Sequence, residues 1–96
     1  MPLRASTLAT LGRRLESIEG HVRGVRSMAE RGEDCEDLLI QLKAISAAVE
    51  KAAAVILREH VDQCLKAAIA SGDRETALAE LEAVLRQLPA LGGPES

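Results

Sequence analysis

Residues 35–71 read CEDLLIQLKAISAAVEKAAAVILREHVDQCLKAAIAS, a stretch with neither proline nor glycine. Leu38, Leu42, Ile45, Val49, Ala52 and Ile56 recur through it at spacings of three and four. That period is one face of an α-helix and nearly the seven-residue repeat of packed helices. Asp34 is a good amino-terminal cap, and Gly72 suits the left-handed residue that ends a helix. The helix predicted over 35–71 is about three times the average length, so it needs a partner along its whole extent.

Cys35, His60 and Cys64 all lie on this helix. At about 100° per residue, offsets of 25 and 29 residues return to within about 20° of the starting direction. The three side chains therefore share one side. His60 and Cys64, at i and i+4, are neighbours, whereas Cys35 lies about 38 Å away along the axis. One helix cannot bring the three together. A second copy of the chain can, and the pattern implies a soft-metal or redox site built across a dimer interface.

The flanking sequence completes an all-α chain. Leu8, Leu11, Leu15, Ile18, Val22 and Val25 form an amphipathic seam for a helix over about 6–31, with Ser6 or Thr7 as its cap and Gly32 at its end. Gly20 and Gly24 share a face of this helix and would let another backbone approach closely. Asp73 caps a third helix over about 74–88, with Ala77, Leu78, Leu81, Val84, Leu85 and Leu88 as its buried side. Pro89 stops it, leaving 89–96 as a flexible tail. The 96 residues fit a single domain.

Composition points toward association. The chain has no Phe, Tyr or Trp, yet 47% of its residues are hydrophobic. A monomer of this size buries only about 60–65% of its unfolded surface, so oligomerisation is the natural outlet. The net charge is −3, but residues 1–31 carry six Arg against three Glu, while residues 32–96 carry six Lys or Arg against twelve Asp or Glu. This asymmetry is compatible with a basic contact surface on an acidic body. No run is long and apolar enough to span a membrane or to act as a secretory signal, so a cytoplasmic location is expected. In a reducing compartment, two cysteines favour metal or redox chemistry over a structural disulfide.

An antiparallel pair of the long helices can be tested against its own sequence. Setting Cys35 opposite the turn of His60 and Cys64 puts the two-fold axis near position 48.5, about which Ala44, Ala47, Ala48, Ala52, Ala53 and Ala54 cluster. Small side chains let helix axes approach to about 8 Å. The ligands and the close packing ask for the same register, and symmetry makes the site occur twice. Two thiolates and one imidazole are a soft, three-donor set that suits Cu(I), whereas structural zinc usually takes four protein ligands. His21, beside the first seam, reads as structural or solvent-facing, and Met28 as core.

The segment Arg14–Gly24 (RLESIEGHVRG), Cys35 with Asp37–Ala47, and His60–Cys64 (HVDQC) together resemble the CsoR/RcnR family of repressors. The resemblance covers roughly residues 5–90. It implies an antiparallel four-helix-bundle dimer that assembles into a disc-shaped homotetramer and binds operator DNA when metal-free. It implies release on binding Cu(I), held by Cys35 of one protomer with His60 and Cys64 of another. Cys-His-Cys is the copper-sensing pattern of the family. Nickel and cobalt sensors add an amino-terminal His, where this chain has Leu3, and replace the last Cys by His. Persulfide sensors lack the His, and formaldehyde sensors lack the second Cys. Glu80 matches a glutamate that links to the metal-bound histidine, while a tyrosine beside the first cysteine in some copper sensors is Asp34 here.

By the same resemblance, Arg14 and Lys51 match basic positions that contact DNA. The first helix's arginines form no single stripe, and no helix-turn-helix or stacking aromatic is present. Shallow phosphate contacts from a flat assembly, with DNA shape outweighing base readout, fit better. Besides a Cu(I)-responsive repressor, the residues admit a persulfide or redox sensor using Cys35 and Cys64, or a copper-storage or chaperone protein without a DNA target. No nucleophile–base pair, phosphate loop or carboxylate dyad suggests an enzyme.

Overall fold

The computed structural model describes residues 2–87 and contains three helices: α1 (Ala5–Glu30), α2 (Cys35–Ser71) and α3 (Arg74–Gln87). The ends of α1 and α2 and the start of α3 fall within a residue of the sequence expectation. Leu88, Pro89 and the expected tail over 89–96 lie outside the described residues, as does the side chain of Val84. Gly32 at φ 81° and Gly72 at φ 76° take the left-handed conformation that closes α1 and α2. Asp73 caps α3 as its type predicts, its Oδ1 accepting the Thr76 amide at 3.2 Å.

α1 and α2 form an antiparallel hairpin, and α3 folds back on the far end of α2. The result is flat, 58 × 32 × 13 Å. Its thickness is about that of one helix with its side chains, so a lone protomer has nowhere to build a layered core. Among the described residues no large side chain is fully buried.

Each apolar seam read from the sequence as one stripe is in fact two. Leu11, Ile18 and Val25 of α1 turn toward α2 and meet a matching row of Leu38, Ile45 and Ala52. Three residues away, or about 60° around each helix, lies a second row. Leu8, Leu15 and Val22 of α1 and Leu42, Val49 and Ile56 of α2 are all exposed. On α2 the contrast is sharp: Ile45 and Ala52 are 9% and 4% exposed, Leu42, Val49 and Ile56 51%, 49% and 42%. Because α1 and α2 run in opposite directions, the same rotation on each brings both outer rows to one side of the hairpin.

Four expectations require correction. Asp34 takes the cap position of α2, but its side chain makes no cap hydrogen bond. Neither Ser6 nor Thr7 caps α1, which begins a residue earlier with Arg4 in the cap position. The acceptor for the Arg4 amide comes instead from α2, as described below. On α3, Leu78 and Leu85 are exposed, while Ala77 and Leu81 are only half-buried. With one neighbouring helix end to lean on, α3 cannot bury its apolar side within the protomer. Gly20 and Gly24 admit no close backbone from the same chain: an added Cβ at Gly20 would meet only an arginine side-chain atom, and at Gly24 nothing within 4 Å.

Candidate metal centre

The two ligands expected to be neighbours are neighbours. Cys64 Sγ lies 3.4 Å from His60 Nε2 across one turn of α2. Cys64 is buried where α3 crosses α2, among Val61, Leu65, Ala77 and Leu81 along an apolar groove. Burial pushes its thiol pKa up, and the nearby Glu80 charge pushes it the same way. Glu80 Oε1 sits 3.9 Å from the sulfur, so it contacts the cysteine rather than the histidine to which the resemblance linked it.

Cys35 stands apart, exposed in the first turn of α2. Among the described residues no cluster of three His, Cys, Asp or Glu side chains is poised within one chain to hold a metal ion. A single protomer thus presents an imidazole–thiol pair at one end of α2 and a solitary thiol at the other. The donor chemistry fits a soft monovalent ion: an imidazole nitrogen and a sulfur already face one another, and Cys35 offers a second, accessible sulfur elsewhere on the helix.

The other face of the same turn carries a polar network that the sequence reading did not single out. Glu59, one residue before His60, is the one buried charged side chain among the described residues, 3% exposed. Its Oε2 accepts the Arg4 amide at 2.6 Å and the Gln63 side-chain amide at 2.8 Å. Its Oε1 faces Arg4 Nε at 3.3 Å but has no hydrogen bond of good geometry. Arg4 also reaches Asp62 at 3.1 Å, and Gln63 touches the Pro2 carbonyl at 3.5 Å. The Thr7 hydroxyl, aided by the Arg4 amide and guanidinium, holds the Glu59 carboxyl below its ordinary pKa against the opposing effect of burial. One signal was available in the sequence: position 59 continues the inner row 38, 45, 52, so a carboxylate there falls where a core side chain belongs.

Arg14 and Lys51, far apart in sequence, line one cleft between α1 and α2 with Ser17, Ile18, His21 and the alanines at 44, 47 and 48. Among the described residues neither is ion-paired, unlike Arg4, Arg26, Arg31 and Lys66. His21 is structural, as expected: its Nε2 lies 2.7 Å from Gln41 Oε1 and ties α1 to α2. No helix among the described residues is long and apolar enough to cross a membrane.

Comparison with known proteins agrees with this architecture. A family profile described as metal-sensitive transcriptional repressor matches residues 8–87. The copper-sensing transcriptional repressor CsoR of Bacillus subtilis is 42% identical over 74 residues, 77% of this chain and 73% of that protein. CsoR of Mycobacterium tuberculosis is 33% identical over 94 residues, covering 98% of this chain and 78% of its own. Among solved structures, the nickel-responsive regulator InrS superposes with a TM-score of 0.82 at 40% identity, covering 84% of this chain and 91% of InrS. The copper-sensing repressor CsoR with Cu(I) from Geobacillus thermodenitrificans gives 0.79 at 36% identity, covering 93% of each chain. With its three helices, its sequence match and its fold in agreement, this chain belongs to the CsoR/RcnR family of metal-sensitive transcriptional repressors and groups with the copper-sensing branch.

Proposed function

We propose that the protein is a Cu(I)-responsive repressor of the cytoplasm that binds operator DNA when metal-free and lets it go when the metal is held between protomers. One observation carries this reading: a facing imidazole–thiol pair at one end of α2, a lone accessible thiol at the other, and an exposed apolar row between them. Pairing α2 with a second α2 head to tail sets Leu42 against Ile56 and Val49 beside its own copy. The same register sets Cys35 opposite His60 and Cys64. The outer row of α1 joins the same interface, giving a four-helix bundle with two equivalent sites. Two such dimers form the flat homotetramer.

Within the site, Cys35 and Cys64 supply thiolates and His60 a neutral imidazole. Bound Cu(I) would serve there as a soft Lewis acid joining three donors from two chains. Cys64 is buried and must give up its proton beside Glu80, so Glu80 sets how readily that sulfur becomes a ligand. Arg14 and Lys51, unpaired in their shared cleft, contact backbone phosphates. Their contribution is electrostatic and falls with salt.

The test is anaerobic titration of the reduced protein on its own operator. Cu(I) at one equivalent per protomer should weaken operator binding within the roughly 5–150-fold range of allosteric coupling, and operator should weaken copper binding by the same factor. Unchanged operator affinity overturns the reading. The X-ray absorption spectrum of the loaded protein should show two sulfurs and one nitrogen. Because the nickel-responsive InrS shares the fold, Ni(II) belongs in the same titration. His60→Ala separates copper from sulfur sensing, since it cripples copper-driven release and leaves a response to persulfide donors intact.

A further inference from the structure

The turn of α2 that carries His60 and Cys64 also carries Glu59, Asp62 and Gln63, which clasp the start of α1. Two functions thus share a single helical turn. Ligands project from one side, and the other side holds residues 2–4. The clasp is an end-cap in its own right. α1 has no acidic residue in its first turn and no side-chain cap from its own sequence. The Glu59 carboxylate supplies both from another helix, accepting the Arg4 amide and placing negative charge at the positive end of the α1 dipole. From Arg4 the rigid rod of α1 runs about 15 Å to Arg14. Arg14 lines the cleft that contains Glu59 and Arg4 as well as the cleft it shares with Lys51.

We propose that Glu59 is a positioning residue of the metal response, passing a turn of the ligand-bearing segment of α2 to α1 and hence to Arg14. This rests on the copper-responsive reading above. A helix turn is stiff, so drawing His60 and Cys64 toward a third donor on another chain rotates residues 59–64 as a unit. At a side-chain radius of about 5–6 Å, a rotation of ~10° displaces the Glu59 carboxylate by about 1 Å. That exceeds the tolerance of a 2.6 Å hydrogen bond, which is lost beyond roughly 3.5 Å. Oε1, held by the Arg4 charge without a well-formed hydrogen bond, offers no second anchor of equal quality. The carboxylate itself is buried, so losing the Arg4 amide deprives it of its shortest hydrogen bond at a cost.

Two variants test the link. Glu59→Gln keeps the side chain's size and removes its charge. Arg4→Pro deletes the donating N–H at a backbone φ of −66° that proline adopts, and removes an exposed guanidinium with it. Each should bind Cu(I) at wild-type stoichiometry with an unchanged sulfur–nitrogen absorption spectrum. In each, the ratio of operator affinities without and with Cu(I) should fall at least fivefold, and the double variant should fall no further than the singles. Amide hydrogen exchange over Arg4–Leu8 gives a second readout that needs no DNA. Cu(I) should change its rate at least threefold in the wild type and not at all in Glu59→Gln. A wild-type affinity ratio in Glu59→Gln, or additive losses in the double variant, overturns the proposal. Should wild-type protein keep its operator in Cu(I), the function proposed above fails, and exchange alone decides this one: a Glu59-dependent change supports the clasp, and its absence overturns it.

Discussion

The two ends of α2 are built on opposite plans. At its carboxyl end His60 and Cys64 face each other at 3.4 Å, roofed by α3, with Glu80 against the sulfur and Glu59 anchoring the back of the turn. At its amino end Cys35 stands exposed in the first turn, with no other cysteine or histidine near it in the chain. In the function proposed above, association joins this prepared half-site to an open donor that lies a helix length away within one chain. Metal affinity is then tied to assembly, since a separated protomer can offer only two of the three donors.

The severest way to break this contrast is to remove the surface that joins the two ends. Val49 sits at the centre of the exposed outer row of α2, where head-to-tail pairing places it beside its own copy. Val49→Glu would bury two like charges against one another, a penalty of several kcal/mol. Sedimentation should show monomers at concentrations where the wild type is assembled, and tight copper binding should vanish with the dimer. A Val49→Glu protein that stays assembled and binds Cu(I) normally would put the interface elsewhere.

Next in size is loss of a single donor. Cys35→Ala should cost more copper affinity than the roughly 10–100-fold typical of removing an outer partner. Its value lies in mixing. When Cys35→Ala and Cys64→Ala chains exchange freely, half of the dimers are mixed, and each mixed dimer carries one site with both defects and one with neither. The mixture should therefore bind copper tightly at about a quarter of wild-type capacity, although neither parent does. A mixture as inert as its parents would mean that the three residues never meet across chains.

The sequence made this contrast readable, because the positions of Cys35, His60 and Cys64 on one uninterrupted helix already separate the donors. Helix limits were equally legible, since Gly32, Gly72 and Asp73 mark them by local chemistry and Asp34 takes the cap position of α2, although its side chain makes no cap hydrogen bond. What escaped was decided between helices. The apolar residues of α1 and α2 divide into an inner row and an outer row about 60° apart, and hydrophobicity alone does not say which meets its own chain and which a neighbour. α1 seemed to need Ser6 or Thr7 as a cap because local rules know only local acceptors; its acceptor is Glu59, 55 residues away. The expected buried side of α3 failed for a related reason: periodicity reports that a face wants cover, never that the protomer supplies it.

A milder probe compares the two thiols directly. In the metal-free protein Cys64 is buried and its thiol pKa is raised, first by burial and then by Glu80, while Cys35 is exposed. Near neutral pH a raised pKa leaves less thiolate, and the thiolate is the reactive form. Mass-resolved alkylation should label Cys35 at least tenfold faster than Cys64, and the Cys64 rate should go on climbing with pH above the ordinary thiol range. Equal rates would mean that the roof of α3 over Cys64 opens freely.

The smallest expected effect lies between the two ends. Lys51 stands near the middle of α2 and shares its cleft with Arg14, away from every donor atom. If each of the two side chains holds one phosphate, Lys51→Ala should weaken operator binding about equally for all sequences. For every phosphate released, the dependence of log K on log salt should also flatten by about 0.9. Copper stoichiometry and affinity without DNA should stay at the wild-type level, because neither end of α2 is touched. Division of labour along one helix is what this measures: donors at the extremities, phosphate binding at the centre. A Lys51→Ala protein with an unaltered salt slope would remove the centre from the DNA surface, and one with altered copper affinity would show that the centre and the ends are not independent.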